Sequence, residues 1–157
     1  MTSSSDVNPI PEGFHTLTPY LHVKGAKEAL DFYREALGAE ETYRMDAPDG
    51  TIMHAEMRVG DSHLMLSEER EDWGNLSPST LGGTPFSLMV YVKDCDAVIE
   101  RALAAGATEL MPVRDHFYGD RSGMVEDPFG HRWNISTHVE DVPPDELDRR
   151  MREMMEG

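Results

Sequence analysis

Apolar and polar positions follow a pattern along the first half of the chain that predicts one strand, one helix and three further strands. The run LTPYLHV (17–23) suits a strand, and GAKEALDFYREAL (25–37) carries apolar residues at helical spacing. Gly38 is expected to end that helix. The runs ETYRM, TIMHAEMRV and SHLMLS, separated by turn-forming residues, then predict three antiparallel strands. This half is therefore predicted to be a βαβββ module.

The second half has the same order of predicted elements. FSLMVYV suits a strand, Asp94 is placed to cap a helix over CDAVIERALAA, and Gly106 follows that helix. Strands are predicted in ATELMPV, SGMVE and HRWNIS, and the last two are joined by DPFG (127–130), which favours a type I or II turn. Three matching pairs each lie 69 positions apart: Val23 and Val92, Gly50 and Gly119, and Leu66 and Ile135. The constant offset predicts an internal duplication.

These patterns predict an α+β protein in five parts. They are a flexible N-terminal segment (1–16), a first module (17–68), a linker or lid loop (69–83), a second module (84–138) and a C-terminal helix (139–157). The last helix is amphipathic, and its apolar stripe is expected to pack on the domain or on a second subunit. The stripe consists of Leu147, Met151, Met154 and Met155.

Composition excludes some partners. The 157 residues include 14 Lys and Arg against 30 Asp and Glu, a formal charge of −16 that would repel a phosphate backbone, so no nucleic-acid partner is expected. The N-terminal sequence lacks the pattern of a secretion signal, and no apolar run approaches the roughly 20 residues of a membrane-spanning helix. A cytoplasmic protein with no membrane partner is the expectation. Cys95, the single cysteine, is expected to be a buried apolar residue without a catalytic role.

The two modules, the helix motif VKGAKEALDFYREALGA and the hairpin motif DPFGHRW together resemble the vicinal oxygen chelate (VOC) superfamily of glyoxalase I, bleomycin-resistance proteins and extradiol dioxygenases. The resemblance covers Leu17 to Thr137. The runs IMHAEMRVGDSHLMLSEE and YGDRSGMVEDPFGHRWNISTH are similar to the PhnB-like branch, whose members are mostly small dimers. This family resemblance implies a curved mixed sheet with outer helices, a pocket inside the curve and a homodimer.

Enzymes of this superfamily hold a divalent metal with His and Glu side chains. The resemblance puts the corresponding positions at Thr18, Met65, Ser87 and Asn134. Hydroxyl, thioether and amide groups are poor ligands for a catalytic divalent ion, so the usual metal is expected to be absent. The alternative is a relocated zinc, nickel, manganese or iron site. Its ligands would be His54 and Glu56, with a third from His22, His63 or Glu68.

Strand alternation predicts the lining of the pocket. In residues 51–59, Ile52, His54, Glu56 and Arg58 share one face, opposite an apolar face. Leu21 and Val23 are expected to face the helices, so the alternate residues of this strand are expected to face the pocket. The resulting mixture of aromatic, thioether and polar groups suits an organic ligand. The predicted lining is Thr18, Tyr20, His22, His54, Glu56, Ser87, Met89 and Tyr91, together with Met65 and Asn134, which the resemblance places there, and Arg121 at the pocket mouth.

Simpler interpretations compete for several of these residues. His54 and Glu56 could form an exposed or dimer-edge pair, and Tyr20 and Tyr91 are ordinarily core aromatics. Asp120 and Arg121 are expected to pair with each other or with backbone, and surface or turn positions are expected for His22, His63, His131 and His138.

Three functions stay open at this point. The first is a metal-independent protein that binds a small organic molecule, as the resemblance to bleomycin-resistance proteins implies. The second is a metal-dependent lyase, isomerase or dioxygenase with relocated ligands. The third is a non-catalytic dimeric interaction module. The sequence leaves open whether any reaction is catalysed.

Overall fold

The first half of the chain forms a four-stranded mixed sheet with a helix against it. The computed structural model describes residues 6–157 and divides into one unit up to Gly83 and a second from Thr84. The first unit contains β1 (Tyr20–Val23), α1 (Ala26–Leu37), β2 (Glu40–Asp46), β3 (Ile52–Val59), β4 (Ser62–Glu68) and the short α2 (Pro78–Leu81). Its strand order is β1-β4-β3-β2, in which β1 is parallel to β4 and the other pairs are antiparallel.

The second unit repeats this topology. Its elements are β5 (Ser87–Tyr91), α3 (Cys95–Ala104), β6 (Thr108–Asp115), β7 (Asp120–Glu126), β8 (Arg132–His138) and α4 (Pro144–Glu156). The strand order β5-β8-β7-β6 again pairs the first and last strands in parallel. The predicted α+β fold, with two βαβββ modules and a C-terminal helix, is confirmed.

Equivalent residues cap the helices of the two units. Gly25 precedes α1 and has no side chain for capping, but the Glu68 carboxylate accepts hydrogen bonds from the backbone N–H groups of Gly25 (3.0 Å) and Ala26 (2.7 Å). In the second unit, Thr137 Oγ1 accepts from the backbone N–H of Cys95 at 2.9 Å. Glu68 and Thr137 lie 69 positions apart, the offset of the sequence repeat. The duplication therefore extends to the contacts that begin each helix.

One face of each sheet is buried against its helix. The inward side of α1 includes Leu30 and Tyr33, both fully buried. In the second unit α3 approaches β7 so closely that a Cβ on Gly123 would lie 2.8 Å from Ile99 Cδ1. Full burial of each large apolar side chain stabilises the fold by about 1.5–3 kcal/mol. The opposite face of each sheet is thereby left for other contacts.

Strand β3 departs from the predicted alternation at its first residue. The pattern placed Ile52 on the same face as His54, but Ile52 is only 2% exposed and belongs to the core. The pairing with β2 shifts register between Met45 and Asp46, so a strict two-residue period does not extend to this end of the strand. From Ala55 onward the alternation of buried and less buried positions resumes.

The predicted turn between β7 and β8 is confirmed and is organised by Asp127. The N–H of Gly130 donates to the Asp127 carbonyl at 3.1 Å. The Asp127 carboxylate is buried and accepts from the N–H groups of Phe129 (2.9 Å) and His131 (3.0 Å) and from Trp133 Nε1 (2.9 Å). Three donors thus satisfy one buried charge. His131 lies at this turn, one of the two positions expected for it, and its side chain is buried there.

The segment 69–83 contains two short helical elements that were not predicted. A 3-10 helix spans Glu71–Trp73, and α2 follows with Ser77 as its side-chain cap. The guanidinium of Arg70 lies 4.3 Å above the Trp73 ring. Trp73 is therefore an exposed local anchor that stacks with a cation inside its own loop.

Part of the predicted flexible segment 1–16 lies outside the described residues, which begin at residue 6. In the described part, the Phe14 ring stacks on His63 with centroids 4.1 Å apart. His15 Nε2 lies 3.1 Å from the carbonyl oxygen of Asp61. Both contacts attach this segment to the β3–β4 hairpin.

Helix α4 is amphipathic, as predicted, but none of its residues is buried. Met154 and Met155 are 58% and 77% exposed, so the stripe does not pack into the core of its own unit. The helix is held by Arg150, which donates to the Glu140 carboxylate (2.7 and 3.0 Å) and to the Phe117 carbonyl (3.0 Å). Within residues 6–157, no helix is long and apolar enough to cross a membrane.

Candidate ligand-binding face of the first sheet

The face of the first sheet opposite α1 carries aromatic, thioether and acidic side chains. Leu21 and Val23 are buried, whereas Tyr20 is 43% exposed, so the predicted alternation of β1 is present and Tyr20 is not a core residue. Strand pairing sets one side chain from each strand in a row: Tyr20, Met65, Glu56 and Tyr43. We define the first-sheet face as this row together with His22 and His54.

Three side chains of this face form a hydrogen-bonded chain, the Tyr20–His54–Glu56 chain. Tyr20 Oη lies 2.8 Å from His54 Nδ1, and Nε2 of the same imidazole lies 3.1 Å from Glu56 Oε1. The side chains of His54 and Glu56 remain 23% and 22% exposed. The imidazole is therefore held at both nitrogens and still borders solvent.

The chemistry of these groups restricts the positions of the protons. An ionised carboxylate only accepts hydrogen bonds, so the contact with Glu56 places a proton on His54 Nε2. In the neutral imidazole Nδ1 is an acceptor, and the Tyr20 hydroxyl donates to it. In the imidazolium Nδ1 is a donor, and Tyr20 accepts. The Tyr20 oxygen thus offers an acceptor to a ligand in the first state and a donor in the second.

Two neighbours complete the first-sheet face, and one predicted residue lies apart from it. The His22 ring lies 5.2 Å from the Tyr20 ring between centroids, and His22 Nδ1 lies 3.2 Å from Ser67 Oγ. The Tyr43 ring lies 6.2 Å from the His54 ring. Thr18 precedes β1 and donates to the His15 carbonyl at 3.4 Å.

Of the five predicted site residues in the second unit, four lie on the face of its sheet opposite α3. Met89 pairs with Asn134 across β5 and β8, and Ser87 and Tyr91 share the alternating face of β5. Ser136 Oγ donates to the Met89 sulfur at 3.1 Å. Tyr91 is 60% exposed, so its ordinary assignment as a core aromatic is wrong.

A polar network at this face was not predicted. Buried Asp120 accepts from Tyr91 Oη (2.9 Å) and from His138 Nδ1 (2.8 Å), and His138 Nε2 donates to Asp141 at 2.7 Å. The hydrogen bonds to Asp120 and then Asp141 raise the pKa of His138, and the bond to Asp120 raises that of Tyr91. A shallow depression beside the network is lined by Tyr91, Val92, Lys93, Thr137 and His138. Asp120 lies opposite His138 across β7 and β8. A prediction that paired these strands in this register would have indicated the network.

Arg121 lies apart from the other predicted lining residues. Its Nε and Nη2 donate to the two carboxylate oxygens of Asp96 on α3 at 2.7 and 2.9 Å, and Nη1 donates to Asp115 at 3.3 Å. The side chain therefore lies on the helix-covered side of the second sheet. The hydrogen bonds from Arg121 lower the pKa of Asp96. The expected pairing of Arg121 with Asp120 is wrong, because alternation sends these neighbours to opposite faces.

The family's metal positions do not fit a divalent ion in this chain. Tyr20 beside Met65 and Met89 beside Asn134 bring no carboxylate or imidazole, and Glu56, on the other side of Met65, is hydrogen-bonded to His54. Hydroxyl, thioether and amide groups lack the charge or basicity with which proteins hold catalytic divalent ions. These positions are Thr18, Met65, Ser87 and Asn134.

The relocated site around His54 and Glu56 also lacks a third donor, since each candidate is engaged elsewhere. Glu68 caps α1, His63 Nδ1 lies 2.9 Å from the Gly13 carbonyl oxygen, and His22 contacts Ser67. In the part of the chain that the structure describes, no three His, Cys, Asp or Glu side chains are grouped to hold a metal.

Comparison with known proteins defines the class. The profile of the Glyoxalase/Bleomycin resistance protein/Dioxygenase superfamily matches residues 14–135, most of the chain. This protein belongs to that superfamily, as the sequence resemblance indicated. The matched range includes α1, α3 and nearly all of both sheets.

Alignments with particular relatives cover most of both chains. An uncharacterized protein from Mycobacterium tuberculosis (strain ATCC 25618 / H37Rv) is 39% identical over 144 residues, which cover 90% of this chain and 85% of that protein. The crystal structure of TioX from Micromonospora sp. ML1 aligns with a TM-score of 0.64 and 26% identity, over 80% of this chain and 99% of that one. The Bacillus cereus PhnB protein, a putative 3-demethylubiquinone-9 3-methyltransferase, shares the fold at 21% identity and a TM-score of 0.62, over 78% and 99% of the chains.

Proposed function

We propose that this protein binds a small organic molecule on the first-sheet face without the divalent metal of the superfamily's enzymes. The observation that carries the proposal is the half-buried Tyr20–His54–Glu56 chain, which borders solvent beside Tyr43 and Met65. Aromatic and thioether groups provide apolar contact area, and the Tyr20–His54–Glu56 chain provides oriented polar atoms. That combination is typical of sites for organic ligands.

The polar network of the second unit is less suited to this role. His138 is held between the carboxylates of Asp120 and Asp141, and Tyr91 already donates to Asp120. A ligand would have to displace charge-assisted hydrogen bonds there. On the first-sheet face, Tyr20 can hydrogen-bond a ligand while it keeps its contact with His54.

A homodimer is the second part of the proposal. Its support is the exposed apolar stripe of α4, in which Met151, Met154 and Met155 are 42%, 58% and 77% exposed. Exposed apolar patches of this kind are typical of protein interfaces. Sedimentation equilibrium should give twice the chain mass, and a monomer at all concentrations would contradict this part.

A ligand screen with matched variants tests the binding function. Small phenols, enols and heteroaromatic acids are screened by thermal shift, and compounds that bind are titrated calorimetrically. Loss of one hydrogen bond in Tyr20→Phe or His54→Gln should cost about 0.5–1.5 kcal/mol, a fall in affinity of roughly 2- to 10-fold.

The controls are Tyr118→Phe and His116→Gln, which alter a stacked pair in the second unit with ring centroids 5.0 Å apart. They should bind as the wild type does. Absence of saturable binding by any compound, or an equal loss in the controls, would contradict the proposed function.

A further inference from the structure

We infer that the Tyr20–His54–Glu56 chain is a proton relay that takes the hydroxyl proton of a bound phenol or enol, so that the ligand is held as its anion. This role rests on the proposed binding function and names the ligand class. Its basis is geometric: the Tyr20 oxygen is 2.8 Å from one imidazole nitrogen, and the Glu56 carboxylate is 3.1 Å from the other.

The transfer involves two protons and no redox change. The ligand O–H bond breaks as its proton moves to Tyr20 Oη. The original Tyr20 proton moves to His54 Nδ1, to which it is already hydrogen-bonded. The products are a ligand oxyanion, a neutral tyrosine and an imidazolium whose Nε2–H still donates to Glu56. Atoms and charge balance within the complex, and no co-reactant is needed.

Each state is complementary to its ligand. Before transfer, Tyr20 donates to His54 and accepts from the ligand hydroxyl. After transfer, Tyr20 accepts from the imidazolium and donates to the ligand oxyanion. The Glu56 carboxylate stabilises the imidazolium by a charge-assisted hydrogen bond. Both end states therefore keep every hydrogen bond of the chain.

Charge and acidity narrow the ligand class. The protein carries a formal charge of −16, which repels anions, but a phenol or enol arrives neutral and ionises only in the site. An imidazole can accept a proton from an acidic hydroxyl, whereas an ordinary alcohol holds its proton too tightly. The rings of Tyr43 and His22 provide surfaces for a planar ligand.

The test uses 4-nitrophenol, whose anion absorbs at longer wavelength than its neutral form. At a pH where the free compound is mostly neutral, titration with wild-type protein should raise the anion-to-phenol ratio of the bound compound about tenfold or more. His54→Gln, Tyr20→Phe and Glu56→Gln should abolish or strongly reduce this rise. The controls His116→Gln and Tyr118→Phe should keep it, because they alter the second unit.

Nitrogen-15 NMR of His54 provides a second readout. Addition of 4-nitrophenol at constant pH should protonate Nδ1 in the wild type. Saturable binding of 4-nitrophenol that leaves it neutral, or an ionised fraction unchanged in His54→Gln, would overturn the relay while leaving the binding function intact. If other compounds bind but neither 4-nitrophenol nor any other phenol or enol does, the ligand class is wrong; if no compound binds, the proposed function itself fails.

Discussion

The hydroxyl oxygen of Tyr20 lies 2.8 Å from Nδ1 of His54, although the two residues are 34 positions apart in the chain. Tyr20 belongs to β1 and His54 to β3, and the sheet places β4 between these strands. The contact therefore reaches across an intervening strand on the open face of the sheet. It exists only when these three strands are paired, so the Tyr20–His54 contact depends on the pairing of β1, β4 and β3.

The Tyr20–His54 contact should be measurable as a coupling in stability. Urea unfolding of the wild type, Tyr20→Phe, His54→Gln and the double variant forms a thermodynamic cycle. We expect a coupling free energy of about 0.5–1.5 kcal/mol, the usual contribution of one hydrogen bond. Strictly additive effects of the two substitutions would show that the hydroxyl and the imidazole do not interact.

Removal of the Glu68 carboxylate should destabilise the first unit through α1. Glu68 accepts from two N–H groups at the start of this helix, so Glu68→Ala should lower the free energy of unfolding by about 1–2 kcal/mol. Glu35→Ala, an exposed change on the same helix, is the control. Equal urea midpoints for the two variants would contradict the capping role.

Asp127→Ala should be among the more damaging substitutions in the second unit. It removes the acceptor of three N–H donors, including the indole N–H of buried Trp133. We expect a loss of about 2–4 kcal/mol in the free energy of unfolding, together with a change in Trp133 fluorescence. Asp148→Ala on the exposed side of α4 should change little. A wild-type midpoint for Asp127→Ala would disprove this account of the turn.

His138 should make stability depend on pH. Asp120 and then Asp141 raise its pKa above the ordinary value of 6.5, so the folded state binds the proton more tightly than the unfolded state. This stabilisation is complete below about pH 6.5 and is lost as pH rises through the raised folded value. Relative to His138→Gln, the wild type should be more stabilised near pH 6 than near pH 9. A stability difference independent of pH, or an NMR titration of His138 below its ordinary range, would contradict this prediction.

Metal binding separates the favoured function from the metal-dependent alternative. Protein incubated with zinc, nickel, manganese or iron and then desalted should retain less than one equivalent by mass spectrometry, because His54 and Glu56 lack a third donor in the described structure. Retention of one equivalent by the wild type and its loss in His54→Ala would establish the relocated site instead.

Local sequence signals predicted most of the fold. Asp94 caps α3 by accepting the N–H of Ala97 at 3.1 Å, and the DPFG turn has the expected hydrogen bond. These features depend on residues close in sequence, where periodicity and turn preferences act directly. The cap on α1 was not predictable in this way, because Glu68 is 42 positions from Ala26.

The site was harder to predict, because the face of the sheet on which a side chain lies depends on the register of its strand. Alternation correctly separated Tyr20 from Leu21, but it placed Ile52 on the face of His54, whereas Ile52 is buried in the core next to a register shift. Arg121 was predicted to lie in the loop before the strand SGMVE, at the pocket mouth, whereas it belongs to β7 and pairs with Asp96 on α3. The hydrogen bond between Tyr20 and His54 could not be read from either strand alone, because it needs the strand order of the sheet.

The most direct test of the central claim is a two-dimensional 1H–15N NMR titration of the full chain with the compounds that bind in the thermal-shift screen. If the first-sheet face is the ligand site, saturable shift changes will centre on Tyr20, His22, His54 and Glu56, and His54→Gln will weaken them. Changes confined to the second unit or to α4, with the first-sheet face unaffected, would contradict it.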